Sequence, residues 1–232
     1  MYLRFNKLKS ILKKTVGLKW WIRFRELLFN EKLYNKSFDE KKCIFIHIPK
    51  AAGTSIGEAL FNNGRTGHYE WRYYKIDKIK FHTYFKFAFV RNPYDRLVSS
   101  YFYLQQGGKN KSDHEFNDRV LSKYLDFEDF VLNGLDDKEV SNWGHFKKQS
   151  DFIYDDVSKS IVVDYLGYFE NISEDYNNLR YKLGGAKLGK ANPSNRNAFT
   201  EYYTKEMADK VFTHYNKDFE LFNYEKDINN YR

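Results

Sequence analysis

Residues 45 to 60, FIHIPKAAGTSIGEAL, put an apolar run against Lys50, three small residues and two hydroxyls, and then resume an apolar pattern at helical spacing. A loop between a strand and a helix presents unpaired backbone N–H groups, and the helix dipole favours an anion there by about 0.3 to 1 kcal/mol. Ala51, Ala52 and Gly53 keep side chains clear of the backbone, Lys50 adds a full positive charge, and Thr54 and Ser55 add hydroxyl donors. The chemistry is phosphate binding. The nucleoside-triphosphate loop G-x-x-x-x-G-K-[ST] needs its lysine directly before the hydroxyl residue, whereas here Gly53 precedes Thr54 and Lys50 stands ahead of the small residues.

The elements that must hold this loop are legible around it. Cys43 to Ile48 reads as a short buried strand, and Gly53 to Phe61 carries Ile56, Ala59 and Leu60 on one helical face. The pattern recurs at Phe87 to Val90, followed by Arg91, Asn92 and Pro93 and then Leu97, Val98, Tyr101 and Leu104. Asn92 is a cap, and Pro93 suits a first helical position because its missing N–H would be unpaired there anyway. Two strand-to-helix turns predict an α/β fold, a central parallel sheet flanked by helices, with ligand groups at the strand C-terminal ends.

Farther on, Gln105 to His114 reads as a loop and Glu115 to Gln149 as mostly helical, with Asp126 capping. Phe152 to Tyr154 and Ser160 to Leu166 read as strands. Ser173 is expected to cap a helix stopped by Gly184 and Gly185, and Thr204 to begin the last long helix.

Composition narrows the function classes. At 232 residues the chain suits one domain, and 20 Tyr and 21 Phe supply a core. The single cysteine, Cys43, has no partner for a disulfide and reads as core. The net charge of +8 is concentrated: residues 1 to 25 hold eight basic side chains and no acidic one. Taking those eight from the 39 basic residues leaves 31, equal to the 31 acidic ones, so no nucleic-acid-sized basic face is implied. The basic leader, residues 1 to 30, reads as an amphipathic helix that lies on a membrane surface, packs on the domain or pairs with another copy. A polar linker, 31 to 42, and a single domain, 43 to 232, would follow. No apolar run reaches a membrane span, and lysines interrupt any signal-peptide core, so neither a transmembrane anchor nor secretion is expected.

PKAAGTS resembles the 5'-phosphosulfate loop of sulfotransferases, whose donor is 3'-phosphoadenosine 5'-phosphosulfate (PAPS). FAFVRNPYDRLVSSY, residues 87 to 101, resembles that family's 3'-phosphate site. QSDFI, GYFENISEDY and EYYTKEMADKVFTHYNKDFELFNY are similar to carbohydrate sulfotransferases of the heparan 2-O type and their bacterial relatives. The resemblance implies a P-loop-like sulfotransferase fold, sulfuryl transfer from PAPS to a saccharide hydroxyl with release of PAP, and no metal. It implies that Lys50 stabilises the leaving phosphate, that residues Ala51, Ala52, Gly53, Thr54 and Ser55 hold the phosphosulfate, and that Arg91 and Ser99 hold the 3'-phosphate. His68, in GHYEW, falls where relatives carry a histidine and is the assigned base. His47, His82, Glu58 and Glu70 remain alternatives for that role, and Arg96, Arg180 and the loop bearing Asn192, Ser194, Asn195 and Arg196 are possible helpers. For Arg91 an ion pair with Asp95 is the competing reading, and for Ser99 an ordinary helix serine. The aromatic stretch Tyr69, Trp71, Tyr73 and Tyr74 reads as core rather than as a sugar platform.

A bacterial-type cytoplasmic enzyme of surface-polysaccharide synthesis, peripheral at the inner membrane face, is the expected setting. Two rivals carry their own signals. The run Ile161 to Asp164 imitates the strand and magnesium-holding Asp of a kinase, and the leader fits a nonenzymatic membrane-associated nucleotide-binding protein.

Overall fold

The computed structural model describes residues 33–62, 66–189 and 197–231. The amphipathic leader and the loop carrying Asn192, Ser194, Asn195 and Arg196 lie outside the described residues.

A short helix, α1 (Lys36–Lys41), opens the described chain, capped by the Asn35 side chain on the Phe38 N–H. It falls in the stretch read as a polar linker, yet Phe38 is fully buried and edge-on to Phe61 at 5.3 Å. Its single apolar side chain fixes a segment whose other residues are polar.

Strand β1 (Cys43–Phe45) is buried along its whole length, as a central parallel strand must be. Helix α2 (Gly53–Phe61) follows the phosphate-type loop, and two short helices, α3 (Trp71–Tyr74) and α4 (Lys78–Thr83), lead to strand β2 (Phe85–Val90). Helix α5 (Pro93–Gln105) starts with Asn92 accepting from the Tyr94 N–H at 2.9 Å and Pro93 in the first turn, as the sequence predicts. Helix α6 (Lys111–Arg119), capped by Asn110 on the Asp113 N–H, begins inside the end of the segment read as a loop and continues into the stretch read as helical. Short helical turns then run to Ser141, among them Phe127–Asp129 capped by Asp126.

The region after Gln149 differs from expectation. Phe152 lies in a helical turn, Ser150–Ile153, and the expected strand Ser160–Leu166 is divided in two. A hairpin pairs β3 (Tyr154–Asp155) with β4 (Ser160–Ile161), and a separate strand, β5 (Tyr165–Tyr168), joins the main sheet. The break falls at Asp164, whose carboxylate accepts from the Lys86 N–H at 2.7 Å and pairs with the Lys86 ammonium at 2.9 Å. Helix α7 (Ile172–Leu183) begins earlier than its expected Ser173 cap, with Asn171 at the cap position, and ends at Gly184, whose φ of 67° favours glycine. Helix α8 (Lys205–Leu221) is capped by Thr204.

Among the described residues the main sheet has three parallel strands in the order β1–β2–β5, so β2 is central and Phe45 stands opposite Phe87. Their rings stack at 4.8 Å, a contact worth about 0.5 to 1.5 kcal/mol beyond area burial. Trp71 and Tyr74 are buried in this core, in keeping with their reading as core residues. The arrangement is α/β, a small parallel sheet flanked by helices, and it brings three strand C-terminal ends to one edge.

Candidate active site

The loop after β1 is held in a conformation that side chains rarely adopt. Lys50 has φ 67° and Ala52 φ 60°, both left-handed, and such backbone persists only where surrounding contacts impose it. Two arginines from the second strand-to-helix turn impose it here. Arg96 Nε donates to the Pro49 carbonyl at 3.0 Å, and Arg91 Nη1 donates to the Lys50 carbonyl at 3.1 Å. Ala52 then forms the start of α2 with no side-chain cap, which leaves the first amides of the helix, Gly53, Thr54 and Ser55, turned toward the loop mouth. Thr54 is exposed and Ser55 half-buried.

Gly53 is required by contact rather than by backbone angle. A Cβ there would stand 1.9 Å from Cδ2 and Nε2 of His47. Gly53→Ala is therefore expected to displace the His47 ring or the loop, with a cost of about 1 to 3 kcal/mol in stability. Thermal unfolding and calorimetric titration with PAP read both consequences; an unchanged midpoint with unchanged PAP affinity contradicts the assignment.

From the core outward the site is a row of rings. Phe45 stacks on His47 at 5.4 Å, His47 meets His68 edge-on at 4.4 Å, and His68 meets His145 edge-on at 5.7 Å. His145 stacks on Tyr103 at 5.1 Å, and the Lys50 ammonium lies 4.1 Å over the Tyr103 ring. His47 is fixed by Nδ1, which stands 3.1 Å from the Thr66 carbonyl and 3.0 Å from its hydroxyl, so the row tethers the segment that carries His68. His68 is exposed, while His47 and His145 are buried. All three imidazoles are driven toward the neutral form. Loss of solvation is the main cause for each; for His68 the charges of His47, His145, Arg96 and Lys50 add to it, and for His145 those of Lys50 and Arg96.

This has a consequence for stability. Burial lowers His47 from 6.5 to about 4 and His145 to about 3, so below pH 6.5 the unfolded chain takes up protons that the native chain refuses. Stability must fall as pH drops through that window, by up to about 1.4 kcal/mol per pH unit for each ring. The melting temperature is expected to fall between about pH 7 and about pH 5, and less steeply in His145→Gln. Parallel slopes for the two proteins would exclude His145 as a contributor.

Arg91 is committed to more than one partner. Its Nε and Nη2 donate to Asp95 Oδ2 at 2.8 and 2.7 Å, and its guanidinium lies 3.8 Å from the centre of the Phe169 ring. The ion pair with Asp95 weighed from the sequence is thus present, alongside the grip on the loop. Arg91 is nevertheless at the strand end that meets the loop, within reach of the Lys50 carbonyl. Ser99 lies half-buried two turns along α5; its neighbour Ser100 donates to the His145 carbonyl at 2.9 Å. Arg96 is buried, and its Nη2 has no hydrogen-bond partner among the described residues. An orphaned cationic donor beneath an uncapped helix start fits a bound anion such as the phosphosulfate of PAPS.

His82 and Glu58 fall elsewhere, and Glu70 is held in ion pairs. His82 is exposed at the end of α4, which enters β2 at the edge opposite the loop. Glu58 is exposed on α2, and Glu70 pairs with Arg72 and Lys147. Asp164 also stands at the opposite edge, tied to Lys86, so the magnesium-holding reading of Ile161 to Asp164 is not supported by position. Among the described residues no cluster of three or more His, Cys, Asp or Glu could hold a metal ion. His145, Tyr103 and Asp113 are the residues that sequence reading missed. Tyr103 donates to Asp113 Oδ2 at 2.9 Å, and Asp113 Oδ1 faces His145 Nδ1 at 3.9 Å.

The family model described as "Sulfotransferase family" matches residues 36–225 of this chain. An uncharacterized protein of Archaeoglobus fulgidus is 31% identical over 114 residues, which is 47% of this chain and 76% of that relative. No solved structure matches the chain. Among the described residues no helix is long and apolar enough to cross a membrane.

Proposed function

This chain belongs to the sulfotransferase family, and from that premise we propose that it transfers the sulfuryl group of PAPS to a carbohydrate hydroxyl, releasing PAP and a sugar sulfate ester. The observation that carries the reading is the meeting of the uncapped helix start, Lys50 and an imidazole row at one edge of the sheet. Neutral His68 takes the proton of the attacking hydroxyl while the new O–S bond forms and the S–O bond to phosphate breaks. Lys50 offsets the charge that gathers on the departing phosphate oxygen, and the amides of Gly53, Thr54 and Ser55 hold the group in line for attack. Arg91 and Ser99 would take the 3'-phosphate, with Arg91 exchanging part of its grip on Asp95 for phosphate oxygens. Membrane-surface contact through residues 1 to 25, and a cytoplasmic setting, complete the proposal as the sequence motivates it.

The test is transfer of radiolabelled sulfate from PAPS to a panel of glycans without added metal, with calorimetric titration of PAP. Labelled glycan and metal-independent PAP binding are expected. Magnesium-dependent ATP binding tighter than PAP binding would replace the reading with a kinase.

A further inference from the structure

Beside His68 lies a cavity of about 220 Å³, walled by His68, Tyr103, Asn110, Asp113, Trp143 and His145 among others. It is smaller than the roughly 300 to 1,000 Å³ of sites for drug-sized ligands, so it suits one sugar ring rather than an oligosaccharide. Two of its walls are aromatic, with Trp143 braced by stacking on Phe116 at 4.3 Å. Its distinctive feature is a carboxylate: Asp113 is 2% exposed and is fixed by the Tyr103 hydroxyl at 2.9 Å and the Asn110 amide at 2.8 Å through Oδ2. Oδ1 stands beyond hydrogen-bond reach of His145, at 3.9 Å, and keeps lone pairs for a ligand.

Resting on the sulfotransferase reading, we propose that this cavity is the acceptor subsite and that Asp113 makes it select an uncharged sugar ring over a uronate. A carboxylate accepts hydroxyl hydrogen bonds readily, and the apolar face of a pyranose suits the face of Trp143 that Phe116 does not cover. A uronate would bring a second carboxylate against Asp113, next to the bound donor's own negative charge. The linkage from Lys50 over the Tyr103 ring, through the Tyr103 hydroxyl to Asp113, places the selecting group one side chain away from the reacting end.

The experiment compares glucoside and glucuronide acceptors that differ only at C6, with the full-length enzyme and PAPS. The neutral acceptor is expected to lead by roughly tenfold or more in kcat/KM, and Asp113→Asn to bring the two within about threefold of each other, with PAP affinity kept. Preference for the uronide, equal use of both, or an unchanged ratio in an Asp113→Asn protein that still binds PAP would overturn the proposal. Should that variant fail to fold, the wild-type ratio decides. Saturation-transfer NMR of both glycosides on the wild-type protein reads the same preference without turnover; equal or absent saturation counts against the subsite. Loss of PAP binding by the wild type would instead count against sulfuryl transfer itself, so the two failures are distinguishable.

Discussion

Lys50→Ala is expected to lower kcat by about 10²- to 10³-fold, the scale on which a preorganised group aimed at developing charge contributes to acyl and phosphoryl transfer. In the structure the ammonium rests 4.1 Å over the Tyr103 ring, beside the loop whose amides face the same mouth. Removing it leaves the loop itself in place, because the Arg91 and Arg96 contacts go to the backbone carbonyls of Lys50 and Pro49, which alanine does not alter. Folding should therefore change little while turnover collapses. A Lys50→Gly variant separates the two effects further: at φ 67° glycine relieves left-handed strain, so this protein should melt higher than Lys50→Ala and be equally impaired in turnover. Sulfate transfer within a few-fold of wild type in either protein would remove Lys50 from the leaving-group side.

What could be read in the sequence was what local chemistry determines. The strand, small-residue loop and helix around Lys50, the Asn92–Pro93 start, the Thr204 cap and the Gly184 stop each depend on residues within a few positions of one another. The misses have the opposite character. His145 joins His47 and His68, which the sequence did offer, in one row although a long stretch of chain separates it from them, and nothing in its spacing distinguishes it from a surface histidine. Asp113 was hidden inside a segment that looked like a loop because Gly107, Gly108 and Lys109 precede it, although Asn110 does provide a cap signal three residues before it. Phe38 shows the same limit from the core side: one buried ring among charged neighbours carries no periodicity, yet it packs against Phe61. Ser160 to Leu166 read as one strand because apolar residues flank Asp164 on both sides. The turn between β4 and β5 is set by Asp164 reaching the β2 backbone, a long-range bond with no local signature.

The same distinction governs the second large effect, the loss of the proton acceptor. His68→Ala is expected to lower kcat by about 10²- to 10⁴-fold, the usual contribution of a positioned base, while leaving PAP affinity intact. The pH profile then separates His68 from its neighbours. In the free protein lost solvation, and after it the cations around the ring, push its pKa below the ordinary 6.5 and favour the neutral form. Donor binding brings negative charge to Lys50 and Arg96, which relieves that pressure and moves the pKa back up. Since kcat/KM for the donor reports the free protein and kcat the complex, the acid limb of kcat should lie at higher pH than that of kcat/KM. His68→Ala should abolish both limbs along with the activity, whereas His145→Gln should retain the limb of kcat and shift its position, because it changes the surroundings of His68 and leaves the accepting nitrogen in place. A His68→Ala enzyme that keeps near-normal turnover and an intact acid limb would transfer the role to His145, which shares the cavity with it.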